Sequence, residues 1–529
     1  MPRAWPPSTK NGLPASPEID PLARLETDAR IAVIGAGTMG AGIAQVAALA
    51  GHEVLLHDAR GGAAAEAAER IRGQLAGLAA KGRLDSGLAQ AAGARVSIAD
   101  SLEALAPAAL AIEAIVEQLE AKQALFRRLE TILASDSLLA SNTSSIPITA
   151  IGAALAHPGR LAGMHFFNPA PRMQLVEIVS GLDTDAATAA TLHDTAAAWG
   201  KTPVHTRSTP GFIVNRVARP YYAEGLRLLL EQAGDPATLD HILRASGGFR
   251  MGPFELMDLI GHDVNFAVTC SVWNAFYQDP RFQPSLVQQE LVDAGRLGRK
   301  TGQGFHDYRP QAQGPTPRLE AVRAAPADIT LHGDSPAAQA LADRLQARGI
   351  THRRAAAAPD QRIAGIGRAA LYLTDGRTAT RRAADNGQAD TVLLDLALDF
   401  AQASCVAIAA ARQAGADAIA DAVGLLQAAG HEVARIGDVP GMLVMRTVAM
   451  LTNEAADAVN QGVCTAQAVD QAMRLGVNYP LGPLEWADRL GAASIGTVLN
   501  HVAAAYGEDR YRLSPLIQHA IHSARPHHD

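Results

Sequence analysis

The chain is poor in cysteine, with three in 529 residues (Cys270, Cys405 and Cys464), far apart and without a Cys-x-x-Cys spacing. That excludes a disulfide framework and a zinc knuckle, predicts no metal centre, and fits a reducing, cytoplasmic setting. Aromatic residues are scarce at 4%, whereas apolar residues reach 48%. The cores must therefore be Ala, Leu, Val and Ile, which suits closely packed helices better than a β-sandwich. A basic excess is missing: the net charge is −7, so nothing is available to neutralise a nucleic-acid backbone. Long apolar runs are missing as well. No window holds the roughly 18 apolar residues of a membrane span, and the apolar stretch 406–411 is cut by Arg412. Residues 1–28 carry Pro2, Pro6, Pro7, Pro14, Pro17 and Pro21 without an apolar run, which predicts a disordered tail rather than a signal peptide or anchor.

What is present is a long chain with room for about three to four domains. From residue 29 to about 208, short apolar runs at 31–34, 54–56, 110–116, 138–140, 161–165 and 175–179 alternate with Ala/Leu-rich helical runs. Alternation of that kind predicts an α/β domain with a largely parallel sheet. Residues 209–308 read as helical, and 309–328 as a linker. The alternating pattern returns in weaker form over 329–436, with strands at 392–396 and 406–409 and a helix over 416–430. Residues 437–529 are again helical and repeat 209–308 at a constant offset of 230. Pro210-Gly211 matches Pro440-Gly441, Gly252-Pro253 matches Gly482-Pro483, and Asp258 matches Asp488. This is one duplicated helical unit rather than a solenoid.

The motif Gly35-Ala36-Gly37-Thr38-Met39-Gly40 follows the first apolar run and opens an Ala-rich helix. A second apolar run then leads to Asp58, 23 residues after Gly35. Strand, glycine turn, helix, strand and acid make a Rossmann unit. Gly35 permits the turn, Gly37 lets backbone amides reach a pyrophosphate at the helix N-terminus, and Gly40 allows close packing. Asp58 would accept the ribose hydroxyls and repel a 2′-phosphate, which favours NAD over NADP. Gly365-Ile366-Gly367 lacks that context and reads as a vestigial or accidental loop.

Further polar residues sit where a plain core needs none. Ser141-Asn142-Thr143-Ser144-Ser145 follows a strand, at the end of a parallel sheet where ligands bind. His165 and Glu177 lie in neighbouring apolar runs, 12 residues apart. A buried carboxylate needs a partner, and an imidazole held by one is an oriented general base, as oxidation of a secondary alcohol requires. Arg70, Arg72, Lys81 and Arg83 form a basic run over 62–85, which suits either phosphates or a solvated helix face.

Together Gly35–Gly40, Ser141–Ser145, His165–Pro169, Glu177 and Pro210–Arg216 resemble the L-3-hydroxyacyl-CoA dehydrogenases over residues 29–308. Asn453-Glu454-Ala455, the run 476–486 and Asp509-Arg510-Tyr511-Arg512 resemble the long bacterial form of that family, associated with phenylacetate catabolism, which carries a further Rossmann-like fragment and a second helical domain. The resemblance implies NAD-dependent oxidation of a (3S)-hydroxyacyl-CoA, 3-hydroxyadipyl-CoA among them. It makes His165 the base, Glu177 its orienting partner, and Ser144 and Asn215 the substrate's holders. Glu117 and Lys122 would contact the nicotinamide half of NAD, with Asn142, Asn168 and Lys300 lining the same cleft. Met445 stands where Asn215 stands in the first copy, and no upstream equivalent of His165 or Glu177 is read, so the second copy should lack catalysis. In the family the helical domain pairs with a partner, and the second copy is expected to cover that face within the chain, self-association being the alternative. Two other readings keep the fold: a dehydrogenase of a free β-hydroxy acid, and an inactive structural relative.

Overall fold

A computed structural model describes residues 24–528. Most of the expected tail, 1–28, lies outside them. Its last residues are packed: the Leu25 N–H donates to Thr195 Oγ1 at 3.1 Å and its side chain joins the adjacent core. The chain divides into two compact units, one running to Arg216 and including Gln461–Val477, the other made of Val217–Asn460 and the chain from Asn478 onward.

The first unit is built on β1 (Arg30–Ile34), β2 (Val54–His57), β3 (Val96–Ile98), β4 (Ala108–Glu113), β5 (Leu138–Ser141), β6 (Leu161–Phe166), β7 (Leu175–Ser180) and β8 (Thr202–Arg207). They form one sheet in the order β3-β2-β1-β4-β5-β6-β7-β8, parallel except between β6 and β7. Central strands are buried on both faces. Ile31 and Val33 of β1 join one core, and Ala32 and Ile34 the other. The chain order reverses between β1 and β4, and a crevice at such a switch point is where dinucleotides bind. Sequence reading missed β3 and β8, because both are edge strands with exposed polar positions and no apolar run. The expected strand 110–116 ends at Glu113, and residues 114–116 turn into the loop that meets the glycine motif.

The second unit contains β9 (Ile329–His332), β10 (Arg353–Ala355), β11 (Ala364–Ile366), β12 (Ala369–Leu373), β13 (Thr391–Leu394), β14 (Cys405–Ala410) and β15 (Glu432–Arg435). Their order is β10-β9-β11-β12-β13-β14-β15, with β11 antiparallel to both its neighbours. The expected strands at 392–396 and 406–409 are β13 and β14, and the expected helix is Ala416–Ala428. Gly365-Ile366-Gly367 lies in β11 and the hairpin turn to β12, so no helix N-terminus faces it. The linker is irregular but anchored: the Arg318 N–H donates to Thr238 Oγ1 and the Glu320 N–H to the Val433 carbonyl, both at 2.8 Å.

The two helical copies pair inside this unit, Arg219–Leu230 packing against Val444–Asn460. Buried ion pairs fasten them: Arg446 Nε meets Glu224 Oε2 at 2.6 Å, and Arg281 meets Glu454 at 3.0 Å and Asp457. One helix departs from the expected boundary at 437–529. Ala466–Gly476 belongs to the first unit, where it packs on β7 and β8. Its equivalent at the 230 offset, Pro236–Ala245, packs on β14 in the second unit. Each sheet is thus covered at its last strands by a helix from the other copy. Gly476 allows that approach, since a Cβ there would lie 2.8 Å from Leu175 Cδ2 and 3.0 Å from Val214 Cγ2. No helix among the described residues is long and apolar enough to cross a membrane.

Candidate active site

The glycine turn is dictated by crowding. Gly35 has φ +103°, and a Cβ there would lie 2.5 Å from the Ala114 carbonyl oxygen. A Cβ on Gly40 would lie 1.7 Å from the Gly35 oxygen. At Gly37 a Cβ meets nothing within 4 Å, so space stands open at the N-terminus of helix Thr38–Leu49. That cradle fits a pyrophosphate. Thr38 is exposed and Met39 half-buried on its rim. Asp58 closes the far side. Its Oδ2 accepts the Ala36 N–H at 2.8 Å and its Oδ1 the Arg60 N–H at 2.9 Å. Burial works to raise the Asp58 pKa, but these two N–H groups and the Arg60 charge hold it below the usual carboxylate range. Lone pairs remain for ribose hydroxyls.

Beside the turn, the ends of β4 and β5 carry a network that the sequence reading did not assemble. Glu113 is fully buried and accepts Lys122 Nζ at 2.5 Å, the Ser141 hydroxyl at 2.7 Å and the Ile115 N–H at 2.7 Å. Lys122 is 1% exposed and also reaches Glu117 Oε2 at 3.2 Å. Glu117 in turn accepts the Thr143 hydroxyl at 2.7 Å and the N–H groups of Ser144 and Ser145 at 3.0 and 3.1 Å. Burial works to raise its pKa, and these donors with Lys122 bring it below the ordinary value. Lys122 is therefore part of the framework, held between two carboxylates, and Glu117 shapes the serine loop. The only sequence signal for Glu113 is a lone acid inside the apolar run 110–116.

His165 and Glu177 are direct register partners across β6 and β7. His165 Nδ1 lies 2.6 Å from Glu177 Oε2, both groups being buried. The other Glu177 oxygen accepts the Ile213 and Val214 N–H groups at 3.0 Å each, at the start of helix Val214–Val217. Two backbone donors fix the carboxylate as an acceptor, so Nδ1 carries the proton towards it and Nε2 presents a lone pair. Nε2 makes no hydrogen bond among the described residues. Phe167 and Phe212 pack on the imidazole, with centroids at 4.6 and 5.7 Å. Asn142 Oδ1 accepts the Phe166 N–H at 2.9 Å, tying the serine loop to the histidine strand. Ser144 and Asn215 are half-buried and Asn168 is exposed. Lys300 belongs to the second unit, where its Nζ pairs with Asp263 Oδ1 at 2.5 Å.

A cleft of about 1090 Å³ opens alongside helix Thr38–Leu49, lined by Thr38, Gln45, Arg70, Lys81, Arg83 and Arg172 among others. Three of the four cations expected over 62–85 face it. Arg72 does not, and pairs with Glu69 on the surface. Arg70 also donates to the Ala36 carbonyl at 3.1 Å. Elsewhere among the described residues, His241, Cys405 and Glu432 bring three ligand atoms within 4.8 Å. There His241 Nε2 lies 3.1 Å from Glu432 Oε2, and burial pushes the Cys405 thiol up to about 12.

In the second sheet, β13, β14 and β15 pair as β6, β7 and β8 do, at the 230 offset. His165 maps to Asp395, Glu177 to Ala407 and Asn215 to Met445. Asp395 takes over the anchoring of the helix start. Its Oδ2 accepts the Leu443 and Val444 N–H groups at 3.0 and 2.7 Å, and its Oδ1 the Met445 N–H at 3.1 Å. The histidine's place in the second sheet is thus taken by a carboxylate, and neither an imidazole nor a glutamate stands at the two paired positions.

Comparison with known proteins gives a concordant result. The family described as "3-hydroxyacyl-CoA dehydrogenase, NAD binding domain" matches residues 30–209. Its C-terminal domain family matches 211–308 and 441–527, and a "3-hydroxybutyryl-CoA dehydrogenase reduced Rossmann-fold domain" matches 371–440. The chain is 46% identical to 3-hydroxyadipyl-CoA dehydrogenase of Escherichia coli over 92% of its length and 96% of that protein's. It is 39% identical to human mitochondrial hydroxyacyl-coenzyme A dehydrogenase over 53% of this chain and 91% of that one. A crystal structure of 3-hydroxybutyryl-CoA dehydrogenase from E. coli superposes with a TM-score of 0.86 and 44% identity, covering 94% of this chain and 99% of that one.

Proposed function

The chain belongs to the 3-hydroxyacyl-CoA dehydrogenase family, whose members are NAD-dependent oxidoreductases, and from that premise we propose that it oxidises 3-hydroxyadipyl-CoA to 3-ketoadipyl-CoA in phenylacetate catabolism. The observation that carries the chemistry is the His165–Glu177 pair at 2.6 Å, with Nε2 left as the acceptor. His165 Nε2 takes the proton of the substrate's 3-hydroxyl. Nδ1–H stays on the Glu177 carboxylate, which stabilises the imidazolium as it forms. Ser144 and Asn215 hold the reacting oxygen and the thioester carbonyl. Bound NAD would supply the acceptor for the hydride that leaves C3. The glycine turn and Asp58 would hold its adenosine and pyrophosphate, and Asn142 and Asn168 would line the nicotinamide half, within the framework set by Glu113, Lys122 and Glu117. Arg70, Lys81, Arg83 and Arg172 supply the positive cleft for the phosphates of CoA, which favours a CoA ester over a free hydroxy acid.

A steady-state panel tests this reading, following NADH oxidation with acetoacetyl-CoA, 3-ketoadipyl-CoA and longer 3-ketoacyl-CoAs. The expected result is the highest kcat/KM with 3-ketoadipyl-CoA. A higher value with acetoacetyl-CoA contradicts the substrate, and no turnover of any CoA ester contradicts the class.

A further inference from the structure

Where helix Pro236–Ala245 covers the last strands of the second sheet, three side chains of metal-ligand type meet. Cys405 and Glu432 are register partners of the parallel strands β14 and β15, so the pleat sends both to one face. The residues after them, Val406 and Val433, turn to the other face and its apolar core. The helix packs on β14 and brings His241 to that pair. One ligand atom from each residue lies within 4.8 Å of the other two, and the imidazole Nε2 is 3.1 Å from Glu432 Oε2. Cysteine spacing along the chain cannot reveal such a set, because its members come from three distant segments.

Burial is graded across the three. Cys405 is fully buried, whereas the His241 and Glu432 side chains are 22% and 51% exposed. An ion can therefore enter from solvent, meeting imidazole and carboxylate first and the sulfur last. Nitrogen, sulfur and oxygen donors together suit Zn²⁺, and three protein ligands leave its fourth place for water. Burial and the Glu432 charge push the Cys405 thiol up to about 12, so without an ion the thiol keeps its proton. A divalent cation offsets the charge that disfavours the thiolate. The S–H bond breaks as the S–Zn bond forms, and the proton passes to solvent with no change of oxidation state.

The duplicated copy tells whether the fold itself needs these residues. At the 230 offset His241 becomes Gln471, Cys405 becomes Leu175 and Glu432 becomes Thr202. Leu175 and Thr202 are again register partners, on β7 and β8, and helix Ala466–Gly476 packs on both strands. The same helix-on-sheet contact is thus built with an amide, an aliphatic chain and a hydroxyl. The three ligand types are surplus to packing, and they occur together at one of the two places. We propose that His241, Cys405 and Glu432 bind a Zn²⁺ ion that clips helix Pro236–Ala245 to β14 and β15.

Full-length chain freed of metal by a chelator is titrated with Co²⁺, a spectroscopic substitute for Zn²⁺. One equivalent should bind, giving the visible bands of a tetrahedral ion and the near-ultraviolet charge-transfer band of a cobalt–thiolate bond. Zn²⁺ should displace the cobalt and bleach both, and Zn²⁺ alone should raise the Tm of the metal-free chain. Cys405→Ser should remove the charge-transfer band. Cys405→Ser and His241→Gln should each weaken Zn²⁺ binding by at least about 100-fold, since loss of an outer-shell partner already costs 10- to 100-fold. Glutamine is the residue that the other copy carries at this place, so the fold should accept it. A wild-type chain with neither the band nor a zinc-dependent Tm overturns the proposal. So does a band that survives Cys405→Ser, or zinc affinity unmoved by His241→Gln, because histidines elsewhere would then hold the ion. If Cys405→Ser does not fold, His241→Gln and Glu432→Gln decide in the same titration: a charge-transfer band of wild-type strength at the same Co²⁺ concentrations in both overturns the site.

Discussion

The two sheets carry the same corner with different chemistry. In the first, β6 and β7 set His165 opposite Glu177, and the glutamate both orients the imidazole and caps the helix start at Ile213 and Val214. In the second, Asp395 sits at the histidine's position opposite Ala407 and caps the helix start at Leu443, Val444 and Met445. Both Asp395 oxygens are used by backbone N–H groups, so none is left to orient a base. The carboxylate is thus the packing requirement that both copies satisfy, and the imidazole is the chemical addition that one copy has. Burial pushes Asp395 up to about 6, against the backbone donors that pull it down.

The comparison breaks most visibly if the second copy is removed. A chain ending at Tyr308 loses Ala466–Gly476 from the first sheet and leaves Glu224 without Arg446 and Arg281 without Glu454 and Asp457. Stranding one member of a buried ion pair costs about 3–5 kcal/mol. Light scattering should show dimers or aggregates that retain some NADH binding. A monodisperse, fully active monomer would mean that the second copy does not cover the paired face.

A milder cut is Asp395→Ala. It strands three buried N–H groups at a helix start and should destabilise by about 3 kcal/mol or more, read as a lower Tm, while kcat per folded molecule stays near wild type. A large drop in kcat without a stability change would give the second corner a role in the reaction. On the cofactor side, Asp58→Ala should raise the Kd for NAD about tenfold and narrow the discrimination against NADP. A wild-type preference for NADP contradicts the role given to Asp58.

The smallest effect is acid titration of Asp58. Its folded pKa lies below its ordinary value of 3.8, so its contribution to stability is present above that value and lost as pH falls through the folded value. Asp58→Asn should therefore flatten the acid limb of the wild-type stability curve. Superimposable limbs contradict the hydrogen bonds from Ala36 and Arg60.

Sequence reading located the glycine turn, Asp58, the His165–Glu177 pair and the 230 offset, because each rests on a local pattern or a fixed spacing. It also saw the paired helical copies as a face needing a partner. It stopped the repeat at Pro440, because upstream the repeat survives only as strand register. Asp395 and Ala407 share no side-chain type with His165 and Glu177. The exchange of Ala466–Gly476 between units was illegible for another reason: an amphipathic helix does not say which of two similar sheets it covers. Glu113 escaped, and Lys122, expected at the nicotinamide, was not seen as its buried partner, because burial of a charge depends on partners brought from separate segments.

The central claim is that catalysis depends on one imidazole in the first corner. The direct measurement is kcat of His165→Gln alongside its Kd for NADH by fluorescence titration. The account predicts a fall in kcat of at least about 10²-fold, the usual contribution of a positioned general base, with NADH affinity near wild type. A His165→Gln enzyme that turns over at the wild-type rate would contradict it.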